Sequence, residues 1–184
     1  LTNVKWDYGA GAIQLLIEAD SALNHYDGQA HSVVLAIIQS TEAAPFYQLF
    51  NTPDTLDMLL ETGQLPPGLT QVTRYAIEPG KKTALQLDRA QGAKYVGFIV
   101  AYYGVELAKT AKLFNLPVNI DKSGLIIKDY SAGVAPVQIQ LKLGPAAVMN
   151  ATLSAIAPSP PAQGEVPPPS TTEGILLDGL NPPS

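Results

Sequence analysis

The sequence predicts a mainly β protein, a two-sheet β-sandwich with a small helical insertion. Short apolar, β-rich runs recur at close intervals, separated by clusters of Gly, Pro, Asn and Asp. Only one segment has a strong helical period. Strands never alternate with long helices, the pattern that marks a parallel α/β sheet.

Taken in order, the stretch "AIQLLIEAD" from Ala12 to Asp20 and the stretch "VVLAIIQS" from Val33 to Ser40 read as the first two long strands. Between them lies a polar loop, Asp20 to Ser32, longer than a hairpin needs. The helix follows. Thr52 stands at its N-cap and Pro53 at the first helical position, where a missing N–H costs nothing. Asp54 lies in the first turn, favourable to the helix dipole. Leu56, Leu59 and Leu60 form an i, i+3, i+4 stripe, and Gly63 ends it. Phe46, Leu49 and Phe50 are expected to pack beside that stripe, and the helix to close one end of the β-core.

From Tyr75 to Gly104 the glycines and lysines invite comparison with a phosphate loop. Such a loop places its glycines between a strand and a helix N-terminus, ahead of Lys-Ser/Thr. Neither Gly80 nor Gly92 precedes a helical pattern. Pro79-Gly80 suits a type II turn, "KTALQLDR" alternates, and "YVGFIVAYY" is apolar on both faces. The stretch reads as a three-strand meander with solvated lysines. Leu85, Leu87, Val96, Phe98 and Val100 are expected in the core. Beyond it, "GVELAKTAKLFNLPVN" suggests a helical turn and a loop. "SGLIIKDY" (residues 123–130) and "VQIQLKLG" suggest strands, and "AVMNATLSAI" a continuation or a partner of the last. Seven or eight strands are expected in all.

A compositional boundary falls at Ala157. Residues 1–157 form the expected sandwich domain, with its helical insertion near 46–62. Residues 158–184 are a Pro-rich tail holding half of the chain's 16 prolines. Its apolar island of Ile175, Leu176, Leu177 and Leu180 reads as a docking peptide for its own domain or a partner, or as part of a disordered end.

Composition excludes several functions. The net charge of −5 and the absence of a basic stripe argue against nucleic acid as a partner. No apolar run reaches the length of a membrane span. With 0 cysteines, thiolate catalysis, thiolate metal sites and a disulfide scaffold are excluded. The 2 histidines, His25 and His31, share the first loop with Asp20 and Asp27, but their spacing is not diagnostic of a metal site. No G-x-S-x-G elbow is present and no carboxylate pair stands out. The expectation is a binding or structural protein, not an enzyme, with no cofactor.

The ordered set of motifs resembles a known family. Asn24 in a loop, Val33 to Gln39, the Phe-rich helical segment Phe46 to Leu60, the Pro79-Gly80 turn and the run Ala93 to Tyr103 are similar to the type VI secretion outer-membrane lipoproteins, the TssJ (SciN, VasD) family. The resemblance spans Ile13 to Gly104. It implies a transthyretin-like sandwich and a structural lipoprotein on the periplasmic face of the outer membrane. The anchor it implies is an acylated cysteine upstream of Leu1. The partner it implies is the periplasmic C-terminal domain of the inner-membrane protein TssM. On this view the first loop is the candidate partner-binding surface, through Asn24, His25, Tyr26, Asp27, Gly28, Gln29 and His31, with Tyr26 as anchor. The competing binding surface is the helical insertion or the opposite end. The alternative from another class is a carbohydrate-binding module of an exported protein, which requires an aromatic platform from Trp6, Tyr8, Tyr102 and Tyr103. A small hydrolase is the third reading.

Overall fold

Alternation along each strand decides which side is buried, and among the described residues two strands are buried on both sides. The computed structural model describes residues 3–121, 131–156 and 175–176. In chain order the elements are β1 (Val4–Lys5), β2 (Gly9–Ala19), β3 (Val33–Ser40), α1 (Ala44–Gln48), a 3-10 turn at Leu49–Asn51, and α2 (Pro53–Thr62). β4 (Gln71–Ile77), β5 (Lys82–Arg89) and β6 (Tyr95–Ala101) follow. A second 3-10 turn, Leu107–Thr110, leads into β7 (Ala111–Asn115), β8 (Val118–Asp121), β9 (Ser131–Val134), β10 (Val137–Leu143), β11 (Val148–Ala155) and β12 (Ile175–Leu176).

A sheet ordered β11-β10-β2-β5 faces a sheet ordered β12-β4-β3-β6-β7, and a small third sheet runs β1-β9-β8. The first sheet is mixed, since β10 lies parallel to β2 and antiparallel to β11. Inward side chains of both sheets make the main core, with Ile13, Leu15 and Ile17 of β2, Val137, Ile139 and Leu141 of β10, Leu35 and Ile37 of β3, and Phe98 and Val100 of β6. The fold is the mainly β, two-sheet sandwich with a helical insertion that the sequence predicts.

The alternate residues of β3 and β6 point the other way and are just as apolar. Ala36, Ile38 and Ile99 sit at the base of a second cluster with Phe46, Leu49, Leu56, Leu59 and Leu60. The helices therefore cover the outer face of the five-stranded sheet, as a third layer. They do not close one end of the sandwich, as the sequence led us to expect, because a sheet face this apolar must be kept from water. α2 itself forms as its sequence dictates, from Pro53 to a left-handed Gly63 at φ 74°. Thr52 departs from a capping role. Its hydroxyl donates backwards to the carbonyls of Gln48 and Leu49. The last turn of α2 is held by Arg74 of β4, whose guanidinium donates to the Leu60 and Glu61 carbonyls, both at 2.9 Å.

Three further expectations change. Residues Tyr75 to Gly104 are not a meander, because β5 pairs with β2 in the opposite sheet while β4 and β6 flank β3. The Pro79-Gly80 turn, with Gly80 at φ 72°, carries the chain across the sandwich. Leu87, Val96, Phe98 and Val100 are buried, but Leu85 is only partly so because β5 is an edge strand. Beyond the expected helical turn, Ala111–Asn115 is a strand on β6 where the sequence suggested a loop. With it and β12, the two facing sheets hold nine strands among the described residues. The expected strand at residues 123–130 and most of the tail, Leu177 and Leu180 included, lie outside the described residues. Within the tail, Ile175–Leu176 forms a strand on the free side of β4.

Phe98 is 2% exposed and packs within the main core. Phe98→Ala is expected to lower stability by about 3–5 kcal/mol in chemical denaturation. A Cβ built on Gly97 would lie 2.9 Å from both the Lys112 carbonyl oxygen and a ring carbon of Phe46. Gly97→Ala is therefore expected to cost about 1–3 kcal/mol by forcing α1 or β7 outward, read in the same experiment.

Candidate functional site

β2 ends in one sheet and β3 begins in the other, so Asp20 to Ser32 must cross between them. Four loops meet at that end of the sandwich. The Asp20 carbonyl accepts N–H bonds from Leu23 and Gly80, both at 3.0 Å. Asp20 N–H donates to Leu143, and the Asp20 carboxylate accepts the Ala22 N–H at 2.7 Å. His25 N–H donates to the Pro145 carbonyl at 3.0 Å. The β4–β5 and β10–β11 turns are thus tied to the base of the long loop.

Leu23 is fully buried and pins the loop to the main core. Asn24 is buried too, in a left-handed conformation at φ 46° that Asn tolerates better than most residues. Its Nδ2 donates to the Ser32 carbonyl at 3.1 Å, closing the loop on itself. Its Oδ1 accepts the Tyr103 N–H at 2.8 Å, joining the loop to the segment after β6. At the tip, Tyr26 and Gln29 exchange backbone bonds of 3.1 and 3.2 Å around Asp27 and Gly28. Positive φ at both, 50° and 75°, matches a type I′ turn.

Above this frame sits an aromatic stack. Tyr26 lies on the His31 ring with centroids 3.6 Å apart and planes 7° apart, and on Tyr103 at 4.2 Å and 25°. His31 Nδ1 lies 3.1 Å from the Asn24 carbonyl oxygen, which orients the ring. Tyr103 is 69% exposed. His25, Asp27, Gly28 and Gln29 are exposed around it, while Tyr26 and His31 are half-buried by their neighbours. Of the seven residues singled out from the sequence, Asn24 is a structural hub and the other six form the accessible surface. Tyr103 joins that surface from a different part of the chain. The sequence offers Tyr103 only as part of an aromatic platform with Trp6, Tyr8 and Tyr102, not as a neighbour of the first loop.

The four aromatics of a carbohydrate platform do not come together. Trp6 lies near Lys94, its carbonyl bonded to Gly92, and Tyr8 donates to Asp88 at 2.5 Å. That bond, with one from Gly11 N–H, holds the Asp88 carboxyl below its usual range and raises the Tyr8 phenol. Tyr102 and Tyr103 follow the far end of β6, and Tyr102 is buried with its hydroxyl donating to the Ala147 carbonyl at 3.0 Å. Elsewhere an open depression of about 720 Å³ lies beside α2, walled by Leu60, Arg74, Ala101 and Leu107. Its buried cation is committed to the helix carbonyls.

The family described as "Type VI secretion lipoprotein, VasD, EvfM, TssJ" matches residues 12–144. The crystal structure of the type VI secretion lipoprotein TssJ1 from Pseudomonas aeruginosa is similar over 84% of this chain and 98% of its own, at 17% identity and a TM-score of 0.52. Serratia marcescens Lip, a membrane-bound component of the type VI secretion system, matches 79% of this chain and 96% of its own, at 17% identity and a TM-score of 0.45. No curated protein matches the chain.

Burial pushes the Tyr102 phenol up to about 12 from 10.0. A phenol whose folded value is raised contributes stability that is intact below the unfolded value and lost as pH rises through the folded one. Stability is therefore expected to fall between about pH 10 and 12, and Tyr102→Phe to flatten that fall in denaturation measured across the range. Asn24→Ala removes two hydrogen bonds and leaves a left-handed alanine. It is expected to cost about 1–3 kcal/mol, seen as a lowered melting temperature.

Proposed function

We propose, starting from the premise that this chain belongs to the type VI secretion lipoprotein family, that it is a non-enzymatic structural component of the type VI secretion membrane complex. In this reading an acylated cysteine upstream of Leu1 holds the protein on the periplasmic face of the outer membrane. The sandwich, residues 1–157, presents its loops to the periplasmic C-terminal domain of TssM, and residues 158–184 are an appendage to it. The role needs no cofactor.

The observation that carries the reading is the family match over residues 12–144, which runs from within β2 to the end of β10 and takes in the whole of the first loop. The shape of that loop supports the contact. A surface that meets a partner gains most from aromatic side chains whose freedom is already restricted. Tyr26 is fixed between His31 and Tyr103, and its backbone is fixed by the I′ turn, so little ordering remains for binding to impose. Asn24 supports the surface without reaching it.

The structure alters the choice of variants. Excising Asn24 to Ala30 would remove the hub along with the tip, so point substitutions separate contact from support. Tyr26→Ala and Tyr103→Ala are each expected to weaken binding to the purified TssM periplasmic domain by about tenfold or more in calorimetry. Their circular dichroism should stay that of the parent. Tyr47→Ala, at an exposed position on α1, is the control and should leave affinity unchanged. Unchanged affinity in both loop variants, with a loss at Tyr47, would move the contact to the helical insertion. No binding by the unaltered protein would remove TssM as the partner.

A further inference from the structure

The helical insertion covers the outer face of the five-stranded sheet along only part of its length. Ala36, Ile38 and Ile99 are fully buried beneath it. One row nearer the start of β3, the same face continues as Ala76, Val34 and Ala101, which stand level with one another on β4, β3 and β6. These three are only partly buried. Val34 and Ala101 line the open depression beside α2, together with Leu60 and Leu107, and the exposed carboxylates of Asp57 and Glu61 border it. An apolar stretch of sheet that its helices leave half-covered marks a place where a further segment packs.

β12 reaches that row from the side of β4. Ile175 is opposite Ala76 and Leu176 is opposite Tyr75, and the two strands are antiparallel. The next position of β4 is Arg74, which donates to the Leu60 and Glu61 carbonyls in the last turn of α2. The register therefore directs the chain after Leu176 toward the end of α2 and the depression it walls. Eight residues follow Leu176, and Leu177 and Leu180 are the only large apolar ones among them.

We propose that the depression is a receptor site for the chain's own C-terminal segment, Leu177 to Leu180, which completes the cover that the helices leave open. Side chains alternate along a strand, so position 177 shares the outer side of the sheet with position 175. Asp178 then falls on the other side, away from Asp57 and Glu61. Gly179 gives the backbone freedom to bring Leu180 across the end of α2. Tethering through Leu176 gives the segment a high effective concentration at the site, so a contact of two leucines suffices to hold it. This inference does not depend on the role proposed above.

The chain has 0 cysteines, so a single introduced one can carry a nitroxide label. The test observes the Leu177 and Leu180 methyl resonances of the full chain, assigned from Leu177→Ala and Leu180→Ala. A label on Asp57→Cys, beside the depression, should broaden both. A label on Thr152→Cys, exposed on the outer face of the other sheet, should leave both sharp. A mixture of isotope-labelled chains with separate nitroxide-labelled chains should show no broadening. Leu177→Asp combined with Leu180→Asp should lower the melting temperature by about 3–6 °C. Sharp methyl signals beside the Asp57 label overturn the proposal, as does equal broadening by both labels. Broadening in the mixture overturns it as well, because the occupant is then a second copy. A double variant that melts with the parent also overturns it.

Discussion

β3 and β6 lie side by side with side chains buried on both faces, and the rest of the molecule is arranged to keep both faces dry. Leu35, Ile37, Phe98 and Val100 fill the space between the sheets. Ala36, Ile38 and Ile99, one residue away in each case, need cover on the other side. Burying a side chain of this size stabilises by about 1.5–3 kcal/mol, so leaving the outer face wet would cost much of a domain's net stability. The helical insertion supplies that cover. Arg74 fastens the last turn of α2 from the neighbouring strand, and Gly97 lets Phe46 approach the sheet closely.

The same two-sheet arrangement explains the first loop. Sheets that face one another lie about 10 Å apart, and a chain leaving one for the other must bridge that gap. Asp20 to Ser32 does so, anchored by Leu23 and closed by Asn24. Part of its length is therefore a crossing requirement, and only the remainder, Tyr26 to Gln29, is a projecting tip. The Pro79-Gly80 turn makes the opposite crossing, and the backbone bond from Gly80 to Asp20 ties the two together. The surface proposed for partner binding is built on two crossings and bonded to the β10–β11 turn, so it is held by the scaffold, an arrangement that suits recognition with little rearrangement.

Period and punctuation determined a great deal by themselves. The alternation in Val137 to Leu143, the apolar run from Val33 to Ser40 and the Pro53-to-Gly63 helix signals each specify an element through contacts within a few residues, and each element has those bounds or nearly so. The ordered motifs from Asn24 to Tyr103 also sufficed to indicate the family, since they span most of the region that matches it. What only the tertiary structure decided was which element faces which. That β5 leaves its neighbours for the other sheet, that the helices lie on a sheet face, and that Ala111–Asn115 pairs as a strand all depend on partners distant in the chain. The aromatic stack is of the same kind. Tyr26 and His31 were visible as loop residues, but Tyr103 reaches them across the end of the sandwich, where Asn24 accepts its N–H. Local sequence sets backbone preference and the direction of side chains, whereas long-range pairing is set by the free energy of burying whole faces, which no short window contains.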